Sequence, residues 1–183
     1  MKEIRIHARA GQGAITTASL LGYAYFLKGM YPYAFPHFGA ARMGAPMNAF
    51  VRVDAKPVRL RRQIYEPDYV IIVDATLMRG FNCLSGLKEN GVVIINGKEG
   101  IDIPKVKASQ SLFVIPANEI AIRNIGLPLG NTALLGAFSA ATGELDLDHL
   151  LEAIKKRFSG KAQEGNIQAI KEGFEFVKSK MKE

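Results

Sequence analysis

KEIRIHARAGQGAITTASLLGYAYFLKG, residues 2–29, is the stretch whose reading decides the fold. Ile4, Ile6 and Ala8 alternate with Arg5 and His7, the two-residue period of a strand. Gly11 and Gly13 break that period. From Ala14 onward, Ile15, Ala18, Leu21 and Tyr25 recur at helical spacing as far as Lys28-Gly29, which reads as a helix end. A strand that passes through a glycine turn straight into a helix opens an α/β domain. The backbone N–H groups at such a helix start point outward and attract phosphate or carboxylate.

The rest of the chain extends this pattern. Residues 30–46 hold Pro32, Pro36, Gly39, Gly44 and Pro46 among aromatics and read as a long loop, a kind of segment that is usually functional when ordered. Residues 47–53 alternate again, and residues 56–64 suit a short antiparallel partner after a turn at Asp54-Ala55. Tyr69-Val70-Ile71-Ile72-Val73-Asp74, Gly91-Val92-Val93-Ile94-Ile95-Asn96 and Leu112-Phe113-Val114-Ile115-Pro116 are apolar runs of the kind covered on both faces. Helices are predicted between them near residues 81–88 and 119–124. Residues 132–141 are rich in alanine and leucine, with Gly143 to end the helix, and Asp146 is placed to cap a helix through Phe158. Ile167, Ile170, Phe174, Val177 and Met181 form the apolar stripe of a final helix. The whole predicts a single domain over residues 1–183, a three-layer α/β/α arrangement with a mostly parallel, partly mixed sheet and C-terminal helices.

Composition narrows the function. A chain of 183 residues needs no disulfide or metal staple. Its one cysteine, Cys83, excludes a disulfide framework and any cluster of thiolates held by this chain alone, and reads either as a small buried apolar residue or as a reactive thiol. Charges interrupt the first residues, so no signal peptide is read there, and no apolar run approaches a membrane span. A cytoplasmic protein is expected. The net charge of +7 concentrates in the first half, at Arg42, Arg52, Lys56, Arg59, Arg61 and Arg62. Such a group is either a patch for an acidic partner, phosphorylated ligand or nucleic acid, or a solvated rim.

The catalytic inventory is poor. A dinucleotide fingerprint needs a third glycine where Thr16 stands and an acid about 20 residues later, yet no Asp or Glu occurs between Glu3 and Asp54. The Walker pattern fails too, because Ala14 follows Gly13. None of His7, His37 and His149 has a partner at metal-ligand spacing. His7 reads as structural, His37 as a packing or contact residue, and His149 as a surface residue. Asp74 ends an apolar strand, where it is suited either to a ligand contact or to capping the next segment through the N–H of Thr76 or Leu77. No nucleophile elbow or paired carboxylates are present. A stand-alone nucleotide-binding protein and a nucleic-acid binder remain as alternatives; the first predicts thermal stabilisation by NAD, FAD or ATP, the second salt-sensitive retention on DNA or RNA.

Four stretches together resemble one family: residues 7–14 (HARAGQGA), 34–46 (AFPHFGAARMGAP), 63–74 (QIYEPDYVIIVD) and 131–137 (NTALLGA). The chain is similar to the gamma subunit of 2-oxoacid:ferredoxin oxidoreductases, most closely the pyruvate synthase type. The resemblance implies a cytoplasmic heterotetramer of anaerobic metabolism with alpha, beta and delta partners. That enzyme combines a 2-oxoacid with coenzyme A, releases carbon dioxide and passes two electrons to ferredoxin. Thiamine diphosphate with magnesium and the iron–sulfur clusters then belong to the partner subunits, and this chain carries no cofactor, metal or catalytic residue. It also implies that Arg9, Gly11, Gln12, Gly13 and Arg42 face the active site or coenzyme A, with no nucleic-acid or membrane partner. The family often has a glycine where Ala10 stands and an acid before the arginine where Ala41-Arg42 stands. Pyruvate, 2-oxoglutarate and branched-chain substrates therefore stay open, with Phe35-Pro36-His37-Phe38-Gly39 closer to the pyruvate type.

Overall fold

Six strands form one sheet in the computed structural model, which describes residues 1–38, 42–98 and 100–182. In chain order they are β1 (Lys2–Arg9), β2 (Tyr31–Phe38), β3 (Pro46–Asp54), β4 (Tyr69–Ile72), β5 (Val92–Asn96) and β6 (Ser111–Ile115). They lie side by side as β2-β3-β1-β4-β5-β6. β1, β4, β5 and β6 are parallel neighbours, whereas β3 runs antiparallel to both β1 and β2. This is the mostly parallel, partly mixed α/β sheet that the strand patterns predict.

The alternation in β1 sorts the two faces. Ile4, Ile6 and Ala8 enter the main core with Met47, Ala49, Val51 and Val53 of β3. That face is covered by α1 (Ala14–Leu27), α3 (Asn131–Thr142), α4 (Leu147–Arg157) and α5 (Gly160–Lys180), with α2 (Ala117–Ile125) following β6. α3 is buried along its length and lies against α5 at close range. Gly136 faces the carbonyl of Ile170 and Gly173 that of Ala133, so a Cβ at either position would strike backbone. Glycine at these two positions is what lets the helices approach so closely. No helix among the described residues is long and apolar enough to cross a membrane.

The opposite face departs from expectation. Residues 81–88 form turns rather than a helix, preceded by a short 3-10 segment, Ala75–Arg79. Leu77 and Cys83 nevertheless close a second small core with Val70, Ile72, Val93 and Ile95, so apolar burial is met without helical geometry. The buried Cys83 thiol is thus a packing residue, its pKa raised by burial against the opposing charge of Arg5. Residues 56–64 form no strand either. The guanidinium of Arg52, 1% exposed, pairs with Glu3 at 2.7 Å and donates to the carbonyls of Arg62 at 2.6 Å and Gln63 at 3.0 Å. Carbonyls held by an arginine are not available for a ladder.

Residues 30–46 are also not one loop. β2 occupies eight of them and pairs with β3 in register, Phe35 opposite Phe50. Proline is tolerated there because β2 is the sheet edge, where alternate N–H groups need no partner. Gly39, Ala40 and Ala41 of that stretch lie outside the described residues. In the last third, Asp146 stands at the start of α4 but makes no capping hydrogen bond, and His149 is half-buried rather than on the surface.

His7 is structural, as its strand position suggests. It is buried beside Arg5, whose Nε donates to His7 Nε2 at 3.1 Å. Burial first, and then the Arg5 charge, lower its pKa from 6.5 to about 4. A histidine neutral in the fold but protonated in the unfolded chain stabilises the protein above pH 6.5, and this is lost as pH falls through 4. His7→Gln, which keeps an acceptor for Arg5, should flatten the decline in unfolding free energy between pH 6.5 and 4 by about 3 kcal/mol, as read by urea denaturation across that range.

Candidate functional site

β1 leaves the sheet at Arg9 and the chain reverses through two glycines in the left-handed region, Gly11 at φ 97° and Gly13 at φ 82°. Side chains rarely adopt that backbone; a Cβ on Gly11 would also displace the flexible end of Met43, and one on Gly13 would lie tightly, 3.0 Å from Asn131 Nδ2. Between them Gln12 folds back, its Oε1 accepting from the Arg9 N–H at 2.8 Å. The turn is therefore closed by its own side chain.

Asp74, just beyond the end of β4, fastens this turn from the neighbouring strand. Its Oδ2 accepts from Gln12 Nε2 at 2.8 Å and Arg9 Nε at 3.2 Å. Its Oδ1 accepts from the Thr76 N–H at 2.9 Å and the Thr76 hydroxyl at 2.6 Å. Burial acts to raise the pKa of this carboxyl, but the bonds from Thr76 and Gln12 and the Arg9 charge outweigh it and hold it below the ordinary value. Of the two roles read for its position, the carboxylate takes the capping one through the Thr76 N–H, and it also fastens the turn after β1.

The third stretch arrives from β3. Ala10 donates to the carbonyl of Ala45 at 2.9 Å and accepts from the Gly44 N–H at 3.0 Å, so the β1–β3 pairing continues into the turn. Arg9 Nη1 reaches the Gly44 carbonyl at 3.3 Å and Nη2 the Thr76 hydroxyl at 3.1 Å. Arg42, Met43, Gly44 and Ala45 make a tight turn closed by the Ala45 N–H on the Arg42 carbonyl at 3.2 Å. The Arg42 side chain is exposed and makes no hydrogen bond or ion pair among the described residues.

The five residues singled out by resemblance, Arg9, Gly11, Gln12, Gly13 and Arg42, thus share one end of the sheet. Their states differ. Arg9 and Gln12 are held by Asp74 and its neighbours, whereas Arg42 is open to solvent. No side chain caps the start of α1, and none caps α3, whose first residue Asn131 abuts Gly13. Two uncapped helix starts and Arg42 place positive charge at this end of the sheet, the charge of Arg9 being matched by Asp74. Sequence reading missed Met43 and Asn131 as members of the site, whereas Thr76, expected as a capping partner of Asp74, is one. Met43 and Asn131 sit inside quoted stretches, but only the fold shows that they meet the two glycines.

The other candidates resolve differently. The six cations of the first half are not one patch, because Arg52 is buried in its ion pair and Arg42 lies at the glycine turn, leaving Lys56, Arg59, Arg61 and Arg62 exposed on one segment. His37 borders a cavity of about 360 Å³ with Arg5, His7 and Asn48, and Gln63 Nε2 lies 2.9 Å from its Nε2. Arg5 is committed there to His7 and to the carbonyls of Cys83 and Ser85, so that cavity offers no free cation. Among the described residues no three His, Cys, Asp or Glu side chains group to hold a metal.

Comparison with known proteins gives a consistent set of relatives. Residues 3–176 match the family described as pyruvate ferredoxin/flavodoxin oxidoreductase. The chain is 45% identical over 178 residues to the pyruvate/ketoisovalerate oxidoreductases common subunit gamma of Pyrococcus furiosus, covering 96% of each. It is 44% identical over 177 residues to pyruvate synthase subunit PorC of Methanothermobacter thermautotrophicus, covering 97% of this chain and 96% of that one. The crystal structure of pyruvate oxidoreductase subunit PORC from Thermotoga maritima superposes with a TM-score of 0.79 at 32% identity, over 95% of both chains.

The geometry makes Asp74 the member whose loss the turn tolerates least. Asp74→Ala, which removes the partner of Arg9 Nε and of the Gln12 amide nitrogen, should lower unfolding free energy by about 2 kcal/mol in chemical denaturation. Glu89→Ala, which breaks only the exposed pair with Lys107, should change it by less than about 0.5 kcal/mol.

Proposed function

The chain belongs to the pyruvate ferredoxin/flavodoxin oxidoreductase family as a gamma-type subunit, and on that premise we propose that its glycine turn closes the active site of the assembled enzyme and meets the phosphates of coenzyme A. The observation that carries this reading is the convergence at one end of the sheet of an uncapped helix start, the Gly11–Gly13 backbone and the exposed Arg42, which has no hydrogen bond or ion pair among the described residues. Helix-start N–H groups and an arginine fork are the donors that suit phosphate oxygens. The fixed residues have a different part. Arg9 and Gln12, saturated by Asp74, hold the turn in shape, so Arg42 and the backbone supply the contact.

The reaction proposed for the complex converts pyruvate and coenzyme A to acetyl-coenzyme A and carbon dioxide, with two electrons passing to ferredoxin. Pyruvate is preferred over 2-oxoglutarate or branched-chain acids because residues 35–46 are most like the pyruvate type, and the relative named pyruvate synthase supports it, whereas the Pyrococcus relative is named for pyruvate and ketoisovalerate alike. Thiamine diphosphate, magnesium and the iron–sulfur clusters reside in the partner subunits on this reading. The residues of this chain do not fit them: a single cysteine, buried beside Arg5, cannot ligate a cluster. The chain's own work is then steric and electrostatic. It excludes water from the cleft and neutralises the phosphates of the incoming thiol. The isolated chain is inactive, and the complex works in the cytoplasm with alpha, beta and delta subunits.

Arg42→Ala tests this in the reconstituted complex. The coenzyme A Michaelis constant should rise about tenfold, the worth of a charge-assisted hydrogen bond, while the pyruvate Michaelis constant stays unchanged. Unaltered turnover and an unaltered coenzyme A constant would remove the contact.

A further inference from the structure

α1 is made of fourteen residues, AITTASLLGYAYFL, without a single charge. A surface helix normally divides into an apolar stripe and a charged face, and one that is apolar all round belongs in an interior. In this chain one side of α1 is buried in the main core through Ala14, Ala18, Leu21 and Tyr25. The other side lines a groove of about 890 Å³ against edge strand β2. Phe26 is 61% exposed, Tyr31 51% and Ile15 47% along its rim. Aromatic and aliphatic side chains left open together on one surface are the mark of an interface.

The charge around the groove has one sign. No Asp or Glu stands between Glu3 and Asp54, nor between Asp54 and Glu66, so α1, β2 and the segment that closes the groove at Pro57, Val58 and Arg61 contain no acidic side chain. Arg61 is set at the rim, its guanidinium 4.0 Å from the centre of the Tyr33 ring and its Nη1 donating to the Val58 carbonyl at 2.8 Å. A cation held over an aromatic ring at the edge of an apolar groove is suited to meet a carboxylate. The backbone adds a further constraint. Pro32 and Pro36 remove N–H donors from the edge strand, so an occupant does not join as a seventh strand and must seat by its side chains.

We infer that the α1–β2 groove is the docking surface for another subunit of the same enzyme, which inserts an amphipathic helix whose apolar side covers Phe26, Tyr23 and Tyr31 and whose acidic residue pairs with Arg61. The inference goes beyond the coenzyme A reading, since the glycine turn and Arg42 take no part in it. It accounts for a chargeless helix on the outside of a subunit that functions only within a complex.

The test uses the full chain co-expressed with its partner subunits, one partner carrying the affinity tag. Phe26→Asp should weaken association at least tenfold, and Arg61→Glu several-fold with loss of the salt dependence of binding. Ile122→Asp, a substitution of similar exposure on α2, should leave assembly unchanged. Circular dichroism and melting temperature of each isolated chain verify that the exposed substitutions spare the fold. Assembly of Phe26→Asp at wild-type affinity overturns the inference, as does an equal loss in all three variants. It is overturned too if the isolated wild-type chain dimerises, Phe26→Asp makes it monomeric, and the complex still forms, because the occupant is then a second copy. The coenzyme A constant of complexes that do assemble stays at its wild-type value in the Arg61 variant, which separates failure here from failure of the coenzyme reading.

Discussion

A single carboxylate organises one end of the sheet. Asp74 accepts four hydrogen bonds from three residues that the chain brings from two different places, the β1 turn and the start of the segment after β4. Each half of the arrangement is weak alone. A glycine-rich turn has many conformations, and a short 3-10 segment has little intrinsic stability. Joined through one ionised group beside the parallel β1–β4 pair, they become a rigid platform onto which residues 42–45 are hydrogen-bonded. The carboxylate stays charged because its donors outweigh its burial. The platform lies at the carboxyl ends of the parallel strands β1 and β4, the position at which open α/β sheets commonly hold ligands.

Much of this was readable from local sequence, and the failures have physical causes. β1, β4 and β5 follow from apolar periodicity, and α3 and α5 from their composition, because those signals reflect burial that the fold then supplies. β2 was illegible because Pro32 and Pro36 count against a strand only if their nitrogens face a partner, and edge position is a property of the whole sheet. Residues 56–64 carry no sign that Arg52 will hold their carbonyls. The turns at residues 81–88 satisfy a small core with Cys83 and partly buried Leu84 and Leu87, a demand that helix and turn meet equally well. For the site, the glycines and Asp74 announced themselves. Met43 and Asn131 did not, since their meeting with Gly11 and Gly13 is set by where the turn before β3 and the start of α3 pack in the fold.

The two faces of the sheet are stabilised by different means. One is a conventional apolar interior under four helices. The other holds irregular segments in place with buried cations, Arg5 donating to the carbonyls of Cys83 and Ser85 and Arg52 to those of Arg62 and Gln63. An arginine fork satisfies several backbone acceptors at once, which a leucine in its place would leave bare. Loops on this face thus owe their shape to side chains from β1 and β3, two strands that also deliver Arg9 and Arg42 to that end of the sheet.

The prolines of β2 have a further consequence for the life of the subunit before assembly. A subunit made ahead of its partners exposes an apolar helix beside a sheet edge, the combination most prone to stacking copy upon copy into insoluble ribbons. Pro32 and Pro36 interrupt the row of donors that such stacking requires. Copies of the chain therefore find no unbroken row of donors along β2 to pair with.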